Sequence, residues 1–144
     1  MDKVDIVKYA MNFDTLFEES EKYFADNFQS TDSVGSPPFD KQAWFGMGQM
    51  MRASFPDITY EIEDIHQEGE DVIMKGRFVG TFEKDFDLSA MNMGVIPATG
   101  KKVVFPDDKS RVSFDADNKI VSSHSLDTGP EAGMAGFMKA LGAG

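Results

Sequence analysis

Asp64 and His66 stand two apart in the run ITYEIEDIHQ, where apolar and polar residues alternate. Residues two apart share one face of a strand. A carboxylate placed there can orient an imidazole, and the two together make a workable general base. A second candidate is Asp127, which closes the run NKIVSSHSLD. In an apolar pocket its carboxyl would lose hydration and its pKa would rise, so that it could shuttle protons near neutrality. At the start of a helix the same residue would act as a cap beside Thr128. Ser110, Ser123 and Ser125 offer hydroxyls to a ligand carbonyl. No acid–histidine pair of suitable spacing accompanies them, so a nucleophilic serine is not indicated. Two histidines far apart and no cysteine argue against zinc. The stretch DADNK lacks the oxygen spacing and glycine of a calcium loop. Neither GxGxxG nor GxxxxGK occurs. No cofactor and no metal are therefore expected.

These residues need elements to hold them. Ile6, Val7, Ala10 and Met11 mark a short helix. Phe13, Leu16, Phe17, Phe24 and Phe28 fall at helical spacing and predict a second, with Asp14 as its N-cap. Asp40 can cap a third helix that carries Trp44, Met47, Met51 and Phe55 on one face and stops before Pro56. Alternation then takes over. ITYEIEDIHQ and DVIMKGRFVGTF predict a hairpin about Gly69, and KSRVSF with KIVSSHSLD a second about DADN. A capping box of Thr128 and Glu131 opens a last helix with Met134, Phe137, Met138 and Leu141 in one stripe. Helices first, then antiparallel strands, then a helix is an α+β order, with the helices on one face of a sheet.

Register assigns the faces. Centred on Gly69, the first hairpin sets Glu63 opposite Lys75 and Glu61 opposite Arg77, which is favourable. Tyr60, Ile62, Asp64 and His66 then share the other face with Met74, Gly76, Phe78 and Gly80. The second hairpin pairs Val112 with Val121 and Ser110 with Ser123, leaving Lys109, Arg111, Ser122 and His124 outside. Gly76 and Gly80 inside a strand suit a sharp bend or a close neighbour. A curved sheet with helices across its concave side encloses a pocket. Trp44, Met47, Tyr60, Met74 and Phe78 are expected to line it, with Ser110, Ser123 and Ser125. The loop DLSAMNMGVIPATGKK, residues 87–102, is apolar for a loop. It is expected to cover the mouth, with Met91 and Met93 pointing down.

The chain has 144 residues, 14 basic and 25 acidic, for a net charge of -11. It is long enough for a single domain, residues 1–144, with one core. Such a surface repels phosphate backbones and anionic headgroups, which argues against nucleic-acid and membrane partners. The start MDKVDIVKYAMNF has no signal-type apolar run, and a cytoplasmic location is expected.

The stretches SFPDITYEIEDIHQEGEDVIMKGRFVGTF, GVIPATGKKV and NKIVSSHSLD resemble the SnoaL-like polyketide cyclase family of the nuclear transport factor two-like superfamily. The likeness runs over roughly residues 13–141 in the same order and spacing. It implies a cone-shaped α+β fold, a curved antiparallel sheet wrapped around helices with an internal pocket, often dimeric through the outer sheet face. It also implies intramolecular aldol cyclisation by acid–base chemistry without a cofactor. Ser125 stands where catalytic relatives carry an Asp, Ser110 where many carry another, and Gly76 and Phe78 where an epoxide-hydrolase branch has Arg and Asp. Two functions follow as expectations. One is a cofactor-free cyclase or isomerase of a small apolar carbonyl compound, using Asp127, or Asp64 with His66. The other is a small-ligand-binding or dimerisation module that has lost the catalytic Asp. The expected partners are a small apolar molecule and a second copy of the chain.

Overall fold

The structure is a computed structural model of the chain. It describes residues 2–13, 18–35, 37–89, 92, 94–128 and 133–142, with side chains from 136 onward in the last segment. Helix α1 spans Lys3–Ala10, capped by Asp2, whose side chain accepts from Asp5 N–H. A 3-10 helix, Glu18–Tyr23, leads into β1, Phe24–Thr31. After the short β2, Phe39–Asp40, comes α2, Lys41–Ser54. Asp40 caps α2 as expected, accepting from Ala43 N–H at 2.8 Å. The strands β3, Thr59–Glu68, and β4, Asp71–Thr81, make the first hairpin. The pair β5, Phe86–Asp87, and β6, Val95–Ile96, follows, then β7, Lys102–Val104. The strands β8, Asp108–Phe114, and β9, Ile120–Ser125, make the second hairpin, and α3 is Gly133–Ala140.

The fold is α+β, as expected, with the main sheet ordered β2-β1-β9-β8-β4-β3 and β7 added beside β4. The sheet is antiparallel except where β1 runs parallel to β9. That exception corrects one expected helix. Phe24 and Phe28 lie on a strand, not on a helical stripe; Asp14, Leu16 and Phe17 lie outside the described residues. The register of β1 against β9 shifts between Phe24 and Gln29. This irregularity lets Phe24, Ala25 and Phe28 all be buried, a spacing that strict alternation forbids and that imitates a helix.

The same effect moves Asp64 and His66. Glu61 opposes Arg77 and Ile62 opposes Gly76 as expected, but a bulge follows and Asp64 becomes the partner of Lys75. One extra residue sends every later side chain to the opposite face. Ile65, opposite Met74, turns inward, and Asp64 and His66 turn outward. The second hairpin differs from expectation by two residues: Ser110 opposes Ser125 and Val112 opposes Ser123. A shift of two keeps the faces, so the three serines stay on the inner side. His124 lies outside opposite Arg111, its ring nitrogens 2.6 Å from Thr31 Oγ1 and 3.1 Å from Ser33 Oγ.

The core packs between the helices and the inner sheet face. Its tightest part is aromatic. Phe55 stacks on Phe82 at 4.9 Å and meets Phe105 edge-on at 5.6 Å. Phe105 stacks on Phe137 at 5.1 Å, and Phe137 meets Phe86 at 5.6 Å. The loop expected to be a lid contributes here: Leu88 and Ile96 are buried in this core. Their burial answers the question its apolar composition raises. No described residue of 87–102 lines the cavity, and Met91 and Met93 lie outside the described residues. Gly80 is pressed against Phe55, where a Cβ would lie 3.1 Å from the Phe55 Cβ.

Candidate functional site

A cavity of about 280 Å³ opens between α1, α2 and the concave sheet face. Trp44, Met47, Tyr60, Met74 and Phe78 line it. So do Ser110, Ser123 and Ser125, together with Asp127. Each sits there for a local reason. Trp44, Met47 and Met51 recur at helical spacing along the inner face of α2. Met74 and Phe78 alternate with the outward Lys75 and Arg77 on β4. Trp44 is wedged against Phe28 at 5.7 Å and Phe24 at 6.4 Å. Tyr60 meets Phe78 edge-on at 4.8 Å. Its ring lies over Gly76, where a Cβ would come within 2.7 Å of the ring and 2.5 Å of the Glu61 carbonyl oxygen. Gly76 is the residue that leaves the Tyr60 ring its place.

Asp64 and His66 do come together, with Nδ1 of His66 3.0 Å from Oδ2 of Asp64. They do so on the outer face, largely exposed and away from the cavity. His66 also lies 3.6 Å from Glu68, and the group belongs to a charged outer surface. There Arg77 pairs with Glu61 at 3.0 Å, Lys75 with Glu63 at 3.5 Å, and Arg111 with Asp71 at 3.0 Å.

The carboxyl that sequence reasoning missed is Asp108, which also lines the cavity. It opens β8, opposite Gly76 of β4. Its two oxygens take two hydroxyls: Ser125 Oγ donates to Oδ1 at 2.9 Å and Ser110 Oγ to Oδ2 at 3.2 Å. Asp127 stands beside it. The β8–β9 register, continued one inward pair beyond Ser110–Ser125, sets Asp108 opposite Asp127. Leu126 N–H donates to the Lys109 carbonyl and Lys109 N–H donates to Asp127 Oδ2 at 3.1 Å, which holds Asp127 in place. Burial pushes the Asp108 carboxyl up to about 6; its hydrogen bond to Asp127 and the charge of Asp127 add to this, while the two serines oppose it.

Asp108 could have been found. The alternation Asp108, Ser110, Val112 continues the inner face of β8 by one step. The sequence FPDDKS, with its proline and paired acids, reads as loop and hides it.

Two residues of the cavity wall each carry a buried polar atom with no hydrogen-bond partner among the described residues: the Tyr60 hydroxyl and the Trp44 indole nitrogen. Burial raises the Tyr60 pKa, and the charges of Asp108, Asp127 and Asp107 raise it further. Tyr60 therefore keeps its proton and remains a donor at neutral pH. The arrangement is a pair of neighbouring carboxyls near a neutral donor at the wall of a largely apolar cavity. Among the described residues no group of three or more His, Asp or Glu is placed to hold a metal ion. No described helix is long and apolar enough to cross a membrane.

Comparison with known proteins agrees with this architecture. A structure assigned as a SnoaL-like polyketide cyclase of Jannaschia sp. CCS1 superposes with a TM-score of 0.72 at 16% identity, over 99% of this chain and 92% of that one. IdmH of Streptomyces antibioticus, assigned as a polyketide cyclase, gives 0.67 at 23% identity over 88% and 91%. AclR of Streptomyces galilaeus, assigned as a hydroxylase, gives 0.68 at 15% identity over 99% and 87%. At these identities the likeness shows the fold alone. No curated protein sequence matches the chain significantly. The family model described as SnoaL-like polyketide cyclase matches residues 9–126, and the chain belongs to that family.

Proposed function

We propose that the protein is a cofactor-free cyclase or isomerase of a small, largely apolar carbonyl compound, with Asp108 and Asp127 as its acid–base pair. The observation that carries this reading is Asp108: a carboxyl raised to about 6 at the wall of an apolar cavity, next to a second carboxyl and near a neutral tyrosine. A base near its operating pH balances availability against strength. In an intramolecular aldol step the Asp108 carboxylate would take the α-proton of the substrate. The Tyr60 hydroxyl would donate to the enolate oxygen. The enolate carbon would bond to a second carbonyl carbon of the same molecule, and the proton held by Asp108 would pass to the new alkoxide. No electron is gained or lost and the proton returns, so the step needs no co-reactant.

The test is proton exchange. Small aryl methyl ketones incubated with the protein in deuterated water should gain deuterium at the α-carbon faster than in buffer, with a rate that rises through pH 6. The competing reading is a binding module without turnover. It draws on Ser110 and Ser125, which stand where catalytic relatives are expected to carry Asp. Ketone binding with no accelerated exchange at any pH would favour it and overturn the catalytic reading.

We further propose that the outer sheet face packs against a second copy of the chain. Its Glu61–Arg77, Glu63–Lys75 and Arg111–Asp71 pairs are already formed, which lowers the cost of covering them. Light scattering at micromolar concentration is expected to report twice the chain mass, 16.0 kDa. A monomer would overturn this.

A further inference from the structure

The two unpartnered donors of the cavity do not sit together. Tyr60 belongs to β3 and lies over Gly76 of β4. Trp44 belongs to α2 and packs against Phe24 and Phe28 of β1. In the sheet β1 and β4 are separated by β9 and β8. The acid–base pair accounts for Tyr60 and leaves the Trp44 indole N–H without a role. A buried N–H with no acceptor is costly, and a ligand oxygen that meets it recovers that cost on binding. An indole N–H donates only, so its partner must be an acceptor.

Charge narrows the acceptor. Four carboxylates line the cavity, Asp32, Asp107, Asp108 and Asp127, and the described lining holds no Lys, Arg or His. A carboxylate or phosphate would enter with no cation to meet it and with like charges around it. The acceptor at Trp44 is therefore an uncharged oxygen.

We infer that Trp44 is a second anchoring residue that sets specificity: its indole N–H holds an uncharged acceptor oxygen of the ligand, away from the oxygen held by Tyr60. The cavity then takes uncharged molecules with two separated acceptors and refuses the corresponding acids. This rests on the reading of the cavity as a small-molecule site, though not on any reaction there.

Trp44 is the chain's one tryptophan, so a ¹H–¹⁵N spectrum contains a single indole cross-peak. The probes are three naphthalenes of one shape: 2-acetylnaphthalene, 2,6-diacetylnaphthalene and 2,6-naphthalenedicarboxylate. The diketone is expected to move the indole peak downfield and to bind about fivefold to tenfold more tightly than the monoketone. Trp44→Phe keeps a ring but removes the donor, and should bring the diketone-to-monoketone affinity ratio close to one. The dicarboxylate should bind at least tenfold more weakly than the diketone. Should Trp44→Phe fail to fold, the indole peak of the unaltered protein still decides. If the diketone shifts the Met47 and Met74 methyl resonances while the indole peak stays fixed, the inference is overturned and the small-molecule reading stands. Equal binding of diketone and dicarboxylate overturns it as well. If none of the three moves any cavity resonance, both fall.

Discussion

Asp108→Asn is expected to lower the ketone exchange rate by about two orders of magnitude or more, the usual worth of a positioned general base. The substitution keeps the shape. The Asn oxygen still accepts from one serine, and its amide can donate to Asp127. What disappears is the group that titrates. Ligand affinity should barely move, so the loss should appear in the rate of bound substrate rather than in its binding. Asp127→Asn should act differently. It keeps Asp108 but removes the carboxyl that helps to raise it, so the pH inflection should move down from about 6 and the rate should fall less. An unchanged rate in Asp108→Asn at every pH would dismiss Asp108 as the base.

The same substitution should raise stability at neutral pH. In the unfolded chain the Asp108 carboxyl loses its proton near its ordinary value of 3.8, whereas in the folded protein it holds on to about 6. Between those values the folded state binds more protons than the unfolded one, so stability falls as pH rises from about 4 to about 6. Above that window the buried charge costs about 2 kcal/mol, since one pKa unit is about 1.4 kcal/mol and the strain is shared with Asp127. Urea melts of Asp108→Asn should therefore lie above the unaltered protein at pH 8 and approach it at pH 4. A gain in stability bought with lost activity is the signature of a functional carboxyl, because a carboxyl kept for structure would show the reverse.

How much of this could be read from the sequence depended on whether regular alternation held. It held along β4, so Met74, Gly76 and Phe78 were assigned to the inner face correctly. It held on β9 from Ser122 to Ser125 as well, where the register differed by an even number and Ser123 and Ser125 stayed inside, although an irregularity interrupts it nearer the turn, between Ile120 and Ser122. At Glu63 the bulge inserted one residue, and Asp64 and His66 passed to the outer face. No residue type marks that bulge. In β1 Phe24 and Phe28 stand four apart, a spacing that shares one face of a strand as well as of a helix, and the register irregularity that buries Ala25 beside them hides the alternation. Tertiary pairing with β9 decided between the two, and pairing is not visible in a local window. Asp127 was legible because it ends a strand whose face was known. Asp108 was not, because Pro106 and the adjacent Asp107 made its strand look like a loop.

Gly76→Ala is expected to destabilise the protein by about 3 kcal/mol, near the upper end of the usual cost of overpacking. The new Cβ would lie 2.5 Å from the Glu61 carbonyl oxygen and 2.7 Å and 2.9 Å from the Tyr60 ring. A side chain alone could rotate away. The Glu61 oxygen is backbone, held in the β3–β4 ladder where Glu61 pairs with Arg77, so the strands themselves must part. Gly80→Ala is the control. Its Cβ would lie 3.1 Å and 3.2 Å from Phe55 and 3.3 Å from the Ile58 Cα, which needs a shift of only a few tenths of an ångström. Its loss in urea melts should be clearly smaller. The two glycines also differ in what they hold. Gly76→Ala pushes the Tyr60 ring from its place beside Asp108, so exchange should fall along with stability. Tyr60→Phe separates these effects: it leaves the ring over Gly76 and removes only the unpartnered hydroxyl, so exchange should fall while stability holds or rises slightly. If Gly76→Ala proved as stable as the unaltered protein, β3 and β4 would not be held as closely as this packing requires. Exchange unaffected by both Gly76→Ala and Tyr60→Phe would remove Tyr60 from the site and leave the carboxyl pair to act without it.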